Sequence, residues 1–228
     1  MIIDLQNIKK VYINLDRDVE RKNRFENTLK ELGYNNCNRF SARELRKIRA
    51  FNHGCSQSHH DLMEQYKENL PLFILEDDAK NTIWYGEYVI DGKIEVPDDA
   101  DVLYLGYSTG GDWNTIGVNF LPLPVNEKWM RLQHCLGTHA MIFLNNSIQK
   151  FIKNSKDTIS KQIPLDVGYA KDVLPKLNVY APIKSLFFQW DKCWPTTNVN
   201  CDPTNKTWTS YNLNNTINFV RHYTHETK

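Results

Sequence analysis

Short apolar runs alternate with amphipathic stretches along the first 190 residues of the chain. The run 11–15 predicts a buried strand, and the pattern over about 19–32 predicts a helix that Asp18 caps and Gly33 ends. Further strands are predicted near residues 38–42, 72–76, 101–106, 140–144 and 179–181, and further helices near 59–67, 147–153 and 167–174. Strands that alternate with helices indicate an α/β fold in one domain over residues 1–228.

Two stretches and the C-terminal tail lack such a pattern. Residues 80–100 are polar and rich in turn formers, and the glycines and prolines of residues 107–135 predict loops or a small hairpin outside the core. The domain core is expected at about 8–190. The tail, about 191–228, is rich in Asn and Thr and carries no assignable regular structure.

Composition narrows the functional classes. The 28 Lys and Arg residues balance 27 Asp and Glu, so the basic excess of a dedicated nucleic-acid binder is missing. The five cysteines form no CxxC pair. There is no pattern of a signal peptide, and no apolar run reaches the length of about 18 residues that a transmembrane helix needs. We therefore expect a cytoplasmic protein with no transmembrane segment.

The chemistry is concentrated where the predicted strand 72–76 ends in three consecutive carboxylates, Glu76, Asp77 and Asp78. Three such groups repel one another unless a cation or hydrogen-bond donors offset their charge. Mg²⁺ or Mn²⁺ is the natural cation, since both bind carboxylates and phosphate oxygens. Side chains alternate along an extended chain, which predicts that Glu76 and Asp78 point the same way and Asp77 the other. The alternative is a solvated acidic turn.

Two arginines follow the first predicted strand. Arg17 and Arg21 lie one helical turn apart, so both guanidinium groups could meet one diphosphate at the start of the helix. Alternatively, Arg17, Arg21 and Arg24 form the solvated face of a charged helix. The sequence contains neither a GxxxxGK loop nor a GxGxxG motif, which disfavours kinases, ATPases and dinucleotide oxidoreductases.

Several short motifs follow one another over about residues 11–190. They are Ile13-Asn14-Leu15-Asp16-Arg17 with Arg21, Gly54-Cys55-Ser56-Gln57-Ser58-His59, Leu75-Glu76-Asp77-Asp78-Ala79, Leu103-Tyr104-Leu105-Gly106, Gly137-Thr138-His139-Ala140, Pro164-Leu165-Asp166 and Gln189. In order and rough spacing this set resembles glycosyltransferase family 25, the lipooligosaccharide and collagen-type sugar transferases. The resemblance implies a single GT-A type domain, with a mixed, mostly parallel sheet flanked by helices and an irregular C-terminal tail. It also implies an inverting transferase with a metal at a DxD-like site. The implied donor is a UDP-sugar, with galactose or glucose as the hexose, and the implied acceptor is a hydroxyl of a glycan.

The resemblance also implies roles for individual residues. Asp78 and Glu76 match the metal-binding and donor-binding positions, with the ribose as the alternative partner of Glu76, and His222 is a further candidate ligand from the tail. Asp77 would orient the donor sugar or the backbone.

Residues matching the first two blocks would bind the nucleotide and its phosphates: Asn14, Leu15, Arg17, Arg21, Ser58 and His59. A structural role for His59 at a helix start is the alternative. Ala42 occupies the position after the second strand, where the family more often has a small residue followed by Asp-Gly.

Asp166 is the candidate general base, and a helix N-cap is the alternative role for this residue. Two other functional classes stay open at this point. A nucleotidyltransferase acting on a sugar phosphate would also use paired acids and a metal, but it should carry a glycine-rich basic loop after its first strand. A carbohydrate-binding module would stack its Trp and Tyr residues on sugar rings and use the acids to bind Ca²⁺.

Overall fold

The computed structural model describes residues 1–44, 53–108 and 121–189. Its strands are β1 (Ile2–Asp4), β2 (Lys9–Asn14), β3 (Cys37–Ser41), β4 (Leu72–Glu76), β5 (Ala79–Asn81), β6 (Val89–Ile90), β7 (Lys93–Glu95), β8 (Val102–Ser108), β9 (Leu121–Pro124), β10 (Trp129–His134), β11 (Leu136–Phe143), β12 (Val179–Pro182) and β13 (Phe187–Gln189). Its helices are α1 (Val19–Glu31), α2 (His53–Tyr66), α3 (Tyr85–Tyr88), α4 (Ile148–Lys161) and α5 (Leu165–Asp172), followed by a 3₁₀ turn (Leu174–Lys176).

One large sheet organises the described part of the chain. Its strand order is β3-β2-β4-β11-β8-β12-β10-β9. Strands β3, β2, β4, β8, β12 and β9 run in one direction, while β11 and β10 run in the other. The predicted α/β fold with a mixed, mostly parallel sheet flanked by helices is therefore confirmed. Two small sheets, β1-β7-β6 and β13-β5, adjoin it.

Helices cover both faces of the sheet. Along β4, Leu72 and Ile74 join the core on the side of α2, α4 and α5. Phe73 and Leu75 join the core on the side of α1. Because side chains alternate between the faces, a central strand covered on both sides must be apolar at every position, which explains the unbroken run before Glu76.

The structure departs from the predicted elements in three places. Helix α2 begins at His53, six residues before the predicted start. The region 107–135 contains the predicted hairpin, formed by β9 and β10, but Met130 and Leu132 of β10 are fully buried, so the prediction that it lies outside the core is wrong. β10 becomes a core strand because it pairs with β12, a contact that no local pattern reveals. Asp18 stands at the N-cap of α1, but its side chain makes no capping hydrogen bond.

No helix within the described ranges is long and apolar enough to cross a membrane.

Candidate functional site

The candidate site lies at one edge of the large sheet. The parallel strands β2 and β4 end there with Asn14 and Glu76, in a register that places Ile13 opposite Glu76. β11 is antiparallel to β4, so it begins at the same edge and brings Thr138 and His139 there. Carboxyl ends of neighbouring parallel strands are where α/β proteins commonly bind ligands.

Glu76 lies at the centre of this edge. Its Oε1 accepts a hydrogen bond from Thr138 Oγ1 at 2.6 Å and lies 3.1 Å from His59 Nε2. Burial alone would raise the pKa of Glu76, but these two partners and the nearby His139 outweigh it and lower the pKa to about 2. The carboxylate is therefore ionised over the whole physiological pH range.

Asp77 and Asp78 share a cation supplied by α1. Arg21 Nη2 lies 2.5 Å from Asp77 Oδ1 and 3.4 Å from Asp78 Oδ2. Asp78 Oδ2 also accepts a long hydrogen bond, 3.5 Å, from Gln189 Nε2 on β13. The prediction that Asp77 points away from Asp78 is therefore wrong. The strand ends at Glu76 and the chain turns at Asp77 and Asp78, so the two-residue period no longer applies.

Asn14 connects the acidic turn to β3. Its Nδ2 donates to Asp77 Oδ2 at 2.7 Å, and its Oδ1 accepts from Arg39 Nε at 2.9 Å. Arg39 also forms an ion pair with Asp16, in which Nη2 and Oδ1 are 2.5 Å apart. Burial raises the pKa of Asp77 even though Asn14 and Arg21 oppose the shift. The side chains of Asn14 and Arg39 are thus fixed by contacts on both sides.

The other residues predicted to bind the donor lie around this network. Arg17 is exposed and forms an ion pair with Glu44, whereas Arg21 contacts the carboxylates of the acidic turn. Leu15 is half-buried, and the half-buried Ala42 donates its backbone N–H to Asn14 O at 2.9 Å. Ser58 Oγ accepts from Arg43 N at 2.8 Å.

His59 is fully buried and faces two different partners. Cys55 lies one turn before it on α2, and Glu76 lies on the adjacent β4. One ligand atom from each of these three residues lies within 4.8 Å of the other two. The Nδ1 atom of His59 is buried and has no hydrogen-bond partner among the described residues.

Asp166 stands in the first turn of α5 and contacts β11. Its Oδ2 accepts from Gly137 N at 3.2 Å and its Oδ1 from Val167 N at 2.9 Å. Gly137 has φ of +90°, a left-handed conformation that favours glycine and directs its N–H towards the carboxylate. Burial raises the pKa of Asp166, and the two backbone hydrogen bonds offset only part of that effect. Pro164 is the N-cap of α5, so Asp166 is not.

The structure adds residues that the sequence left without a role. Cys55, Thr138 and Gln189 belong to the quoted motifs but received no role there, and Arg39 lies outside those motifs. The signal for Cys55 was its four-residue spacing from His59, which places both side chains on one helix face. That signal was lost because the helix was predicted to begin only at His59. His222 lies outside the described residues.

The described residues fit Mg²⁺ or Mn²⁺ poorly. These ions prefer oxygen ligands, whereas the three-ligand cluster found within the described ranges combines a thiol, an imidazole and a carboxylate. Asp78 does not belong to that cluster, and its neighbour Arg21 already supplies a positive charge. The prediction that Asp78, Glu76 and His222 bind the metal stays a prediction.

Comparisons with known proteins identify distant structural similarity. The chain is similar to a glycosyltransferase involved in the glycosylation of the major capsid of PBCV-1, with a TM-score of 0.46 and 9% identity, over 92% of this chain and 98% of that chain. It is also similar to CTP:phosphocholine cytidylyltransferase from Streptococcus pneumoniae, with a TM-score of 0.41 and 9% identity, over 81% of this chain and 74% of that chain. No protein-family profile matches the sequence. No curated protein sequence matches it either.

Proposed function

We propose that this protein is a glycosyltransferase that moves a hexose from a nucleotide-diphosphate sugar to a hydroxyl group of a glycan. The observation that supports this proposal is a polar network at the sheet edge, built of two groups of side chains that adjoin where Glu76 and Asp77 follow each other in the chain. Hydrogen bonds and ion pairs join Asn14, Arg21, Asp77, Asp78 and Gln189 in one group, and His59, Glu76 and Thr138 in the other. Asp166 lies beside it through the backbone of Gly137.

Donor binding is assigned to the part of the network formed by α1, β2 and β3. Arg21 and Arg39 carry positive charge there, and Asn14 holds the second of them in place. Guanidinium groups bind phosphate oxygens in pairs of hydrogen bonds. UDP-galactose and UDP-glucose are the first donors to test, since the family resemblance implies them.

The charge balance of the edge gives a reason to test divalent cations. Four carboxylates, those of Glu76, Asp77, Asp78 and Asp166, lie in the network or next to it, and Arg21 faces two of them. An anionic diphosphate would be repelled by this excess of negative charge unless a cation accompanied it. Dependence on Mn²⁺ or Mg²⁺ is therefore part of the proposal.

Asp166 is the proposed general base. In an inverting transfer the acceptor oxygen forms a bond to the anomeric carbon, while the bond from that carbon to the diphosphate oxygen breaks. The electron pair leaves with the diphosphate, and the proton of the acceptor hydroxyl passes to Asp166. Burial of Asp166 raises its pKa, which makes the carboxylate a better proton acceptor than an exposed aspartate.

The experiment measures hexose transfer from UDP-sugars to a panel of oligosaccharides by mass spectrometry, with Mn²⁺, Mg²⁺ or EDTA. We expect the change Asp166→Asn to lower the transfer rate about 100- to 10,000-fold, the usual range for loss of a general base, while donor binding persists. The matched control is Asp157→Asn on the exposed side of α4, which should transfer at the wild-type rate.

Three results would contradict the proposal. Transfer that survives in Asp166→Asn would exclude this residue as the base. Release of pyrophosphate from a nucleoside triphosphate and a sugar phosphate would identify a nucleotidyltransferase instead. Binding of free oligosaccharides together with no affinity for any nucleotide sugar would identify a carbohydrate-binding module.

A further inference from the structure

Three metal-ligating groups of different chemistry meet where α2 packs against the end of β4. Cys55 and His59 are separated by one helical turn, so their side chains lie on the same face of α2. Glu76 is the last residue of β4. The thiol sulfur, one imidazole nitrogen and one carboxylate oxygen all lie within 4.8 Å of one another.

We infer that Cys55, His59 and Glu76 bind a transition-metal ion of the zinc type. Thiolate and imidazole ligands favour Zn²⁺ over Mg²⁺ or Mn²⁺, which prefer carboxylate, carbonyl and water oxygens. Three protein ligands leave the fourth tetrahedral position for water or a substrate oxygen, as in zinc sites that take part in reactions. This site shares Glu76 with the hard-cation site predicted from Asp78, Glu76 and His222, but its other ligands are a thiol and an imidazole.

The imidazole of His59 presents one nitrogen to the cluster. This side chain is completely buried, and its Nε2 atom faces Glu76, so Nε2 is the atom that would bind an ion. The Nδ1 atom has no hydrogen-bond partner among the described residues, which indicates a water molecule beside it. Metal-bound histidines commonly engage their second nitrogen in this way.

The surroundings of Glu76 suit a ligating carboxylate. Thr138 donates to Oε1 at 2.6 Å, and the contact with His59 also ends on Oε1. The second oxygen, Oε2, is engaged by neither, so it can bind an ion while Oε1 keeps its orienting hydrogen bond. Metal-binding carboxylates are commonly held by such neighbours, whose loss lowers metal affinity about 10- to 100-fold.

The required rearrangement is small. With Zn–S bonds of about 2.3 Å and Zn–N or Zn–O bonds of about 2.0 to 2.2 Å, tetrahedral ligand atoms lie about 3.3 to 3.8 Å apart. Nε2 of His59 already lies 3.1 Å from Oε1 of the Glu76 carboxylate, whose other oxygen would bind the ion. The three ligand atoms lie within 4.8 Å of one another, so the sulfur of Cys55 has to move by about 1 Å to reach the tetrahedral spacing.

The test uses Co²⁺ as a spectroscopic probe, because a thiolate bound to Co²⁺ gives a charge-transfer band in the ultraviolet and Zn²⁺ displaces it. The full-length wild-type protein, stripped of metal and kept reduced, is titrated with Co²⁺ and then with Zn²⁺. Cys55→Ser is compared with Cys37→Ser, which removes another half-buried free thiol, on β3. Thermal unfolding of each variant verifies that it is folded.

We expect one Co²⁺ per chain, a thiolate band in wild type and Cys37→Ser, and loss of that band in Cys55→Ser. We also expect Thr138→Val, which leaves all three ligands in place, to weaken Co²⁺ binding about 10- to 100-fold. Absence of the band in wild type, or its survival in folded Cys55→Ser, would overturn the inference. The test needs no nucleotide sugar, so its outcome is separate from that of the proposed transferase activity.

Discussion

Protonation of Glu76 should remove a measurable part of the folding free energy. Burial raises the pKa of this carboxyl group, but His59 and Thr138 outweigh that effect and hold the pKa at about 2, compared with an ordinary value of 4.5. The gap between these pKa values corresponds to about 3 kcal/mol of stability at neutral pH. Only 17% of the Glu76 side chain is exposed, so solvent screens the interaction weakly.

The direction of the pH dependence follows from the lowered pKa. Since Glu76 binds its proton less readily in the folded state than in the unfolded state, its contribution is complete above about pH 4.5 and declines as the pH falls towards 2. The same two pKa values give a loss of about 2 kcal/mol between pH 5 and pH 3. Replacing Glu76 with Gln removes the titrating group and with it this part of the pH profile.

The assay is urea unfolding of metal-free protein at several values between pH 3 and pH 7. We expect the difference in unfolding free energy between wild type and Glu76→Gln to shrink by about 2 kcal/mol from pH 5 to pH 3. Glu68→Gln, at an exposed position after α2, serves as the control and should follow the wild-type profile. A difference between wild type and Glu76→Gln that stays constant across this pH range would refute the reasoning.

Two further changes test the core and the polar structure beneath the site. Gly106→Ala would place a Cβ atom 2.2 Å from His139 Nε2, so we expect a loss of about 1 to 3 kcal/mol in urea unfolding. Gly86→Ala meets no atom within 4 Å and should be neutral or slightly stabilising; equal losses in the two variants would contradict the packing explanation. The fully buried ammonium of Lys10 donates to three backbone carbonyls, so Lys10→Met should cost at least about 2 kcal/mol in the same assay. Lys9→Met should stay within about 0.5 kcal/mol of wild type, and similar values for both lysine variants would show that the buried hydrogen bonds contribute little.

Much of the fold could be predicted from local patterns. The apolar run before Glu76 identified β4, and the pattern of residues 19–32 identified α1 to within one residue at its end. The spacing of apolar residues in such a segment reflects whether one or both of its faces are buried. This pattern can be read from each segment alone. Residues 107–135 were misjudged because β10 becomes part of the core only through its pairing with β12.

Part of the candidate site could also be predicted from local patterns. Asn14, Arg21 and the acidic turn were singled out because they follow strands or begin a helix, and the structure brings them together. The predicted opposite orientation of Asp77 and Asp78 failed because the strand ends at Glu76 and alternation does not extend into the turn that follows. Cys55 was missed because the helix was predicted to begin only at His59, so the four-residue spacing between the two side chains had no helix to lie on.

The sequence by itself determined the central strands of the large sheet and the longer helices, and where chemically active residues stand at their ends. Only the tertiary structure decided which groups are in contact. Thr138 and His59 contact Glu76, Arg21 contacts Asp77 and Asp78, and the backbone of Gly137 contacts Asp166. Periodicity depends on residues a few positions apart. Strand order and helix packing instead depend on contacts between segments that are far apart in the chain. Which of these contacts form is decided by the free energy of the whole fold.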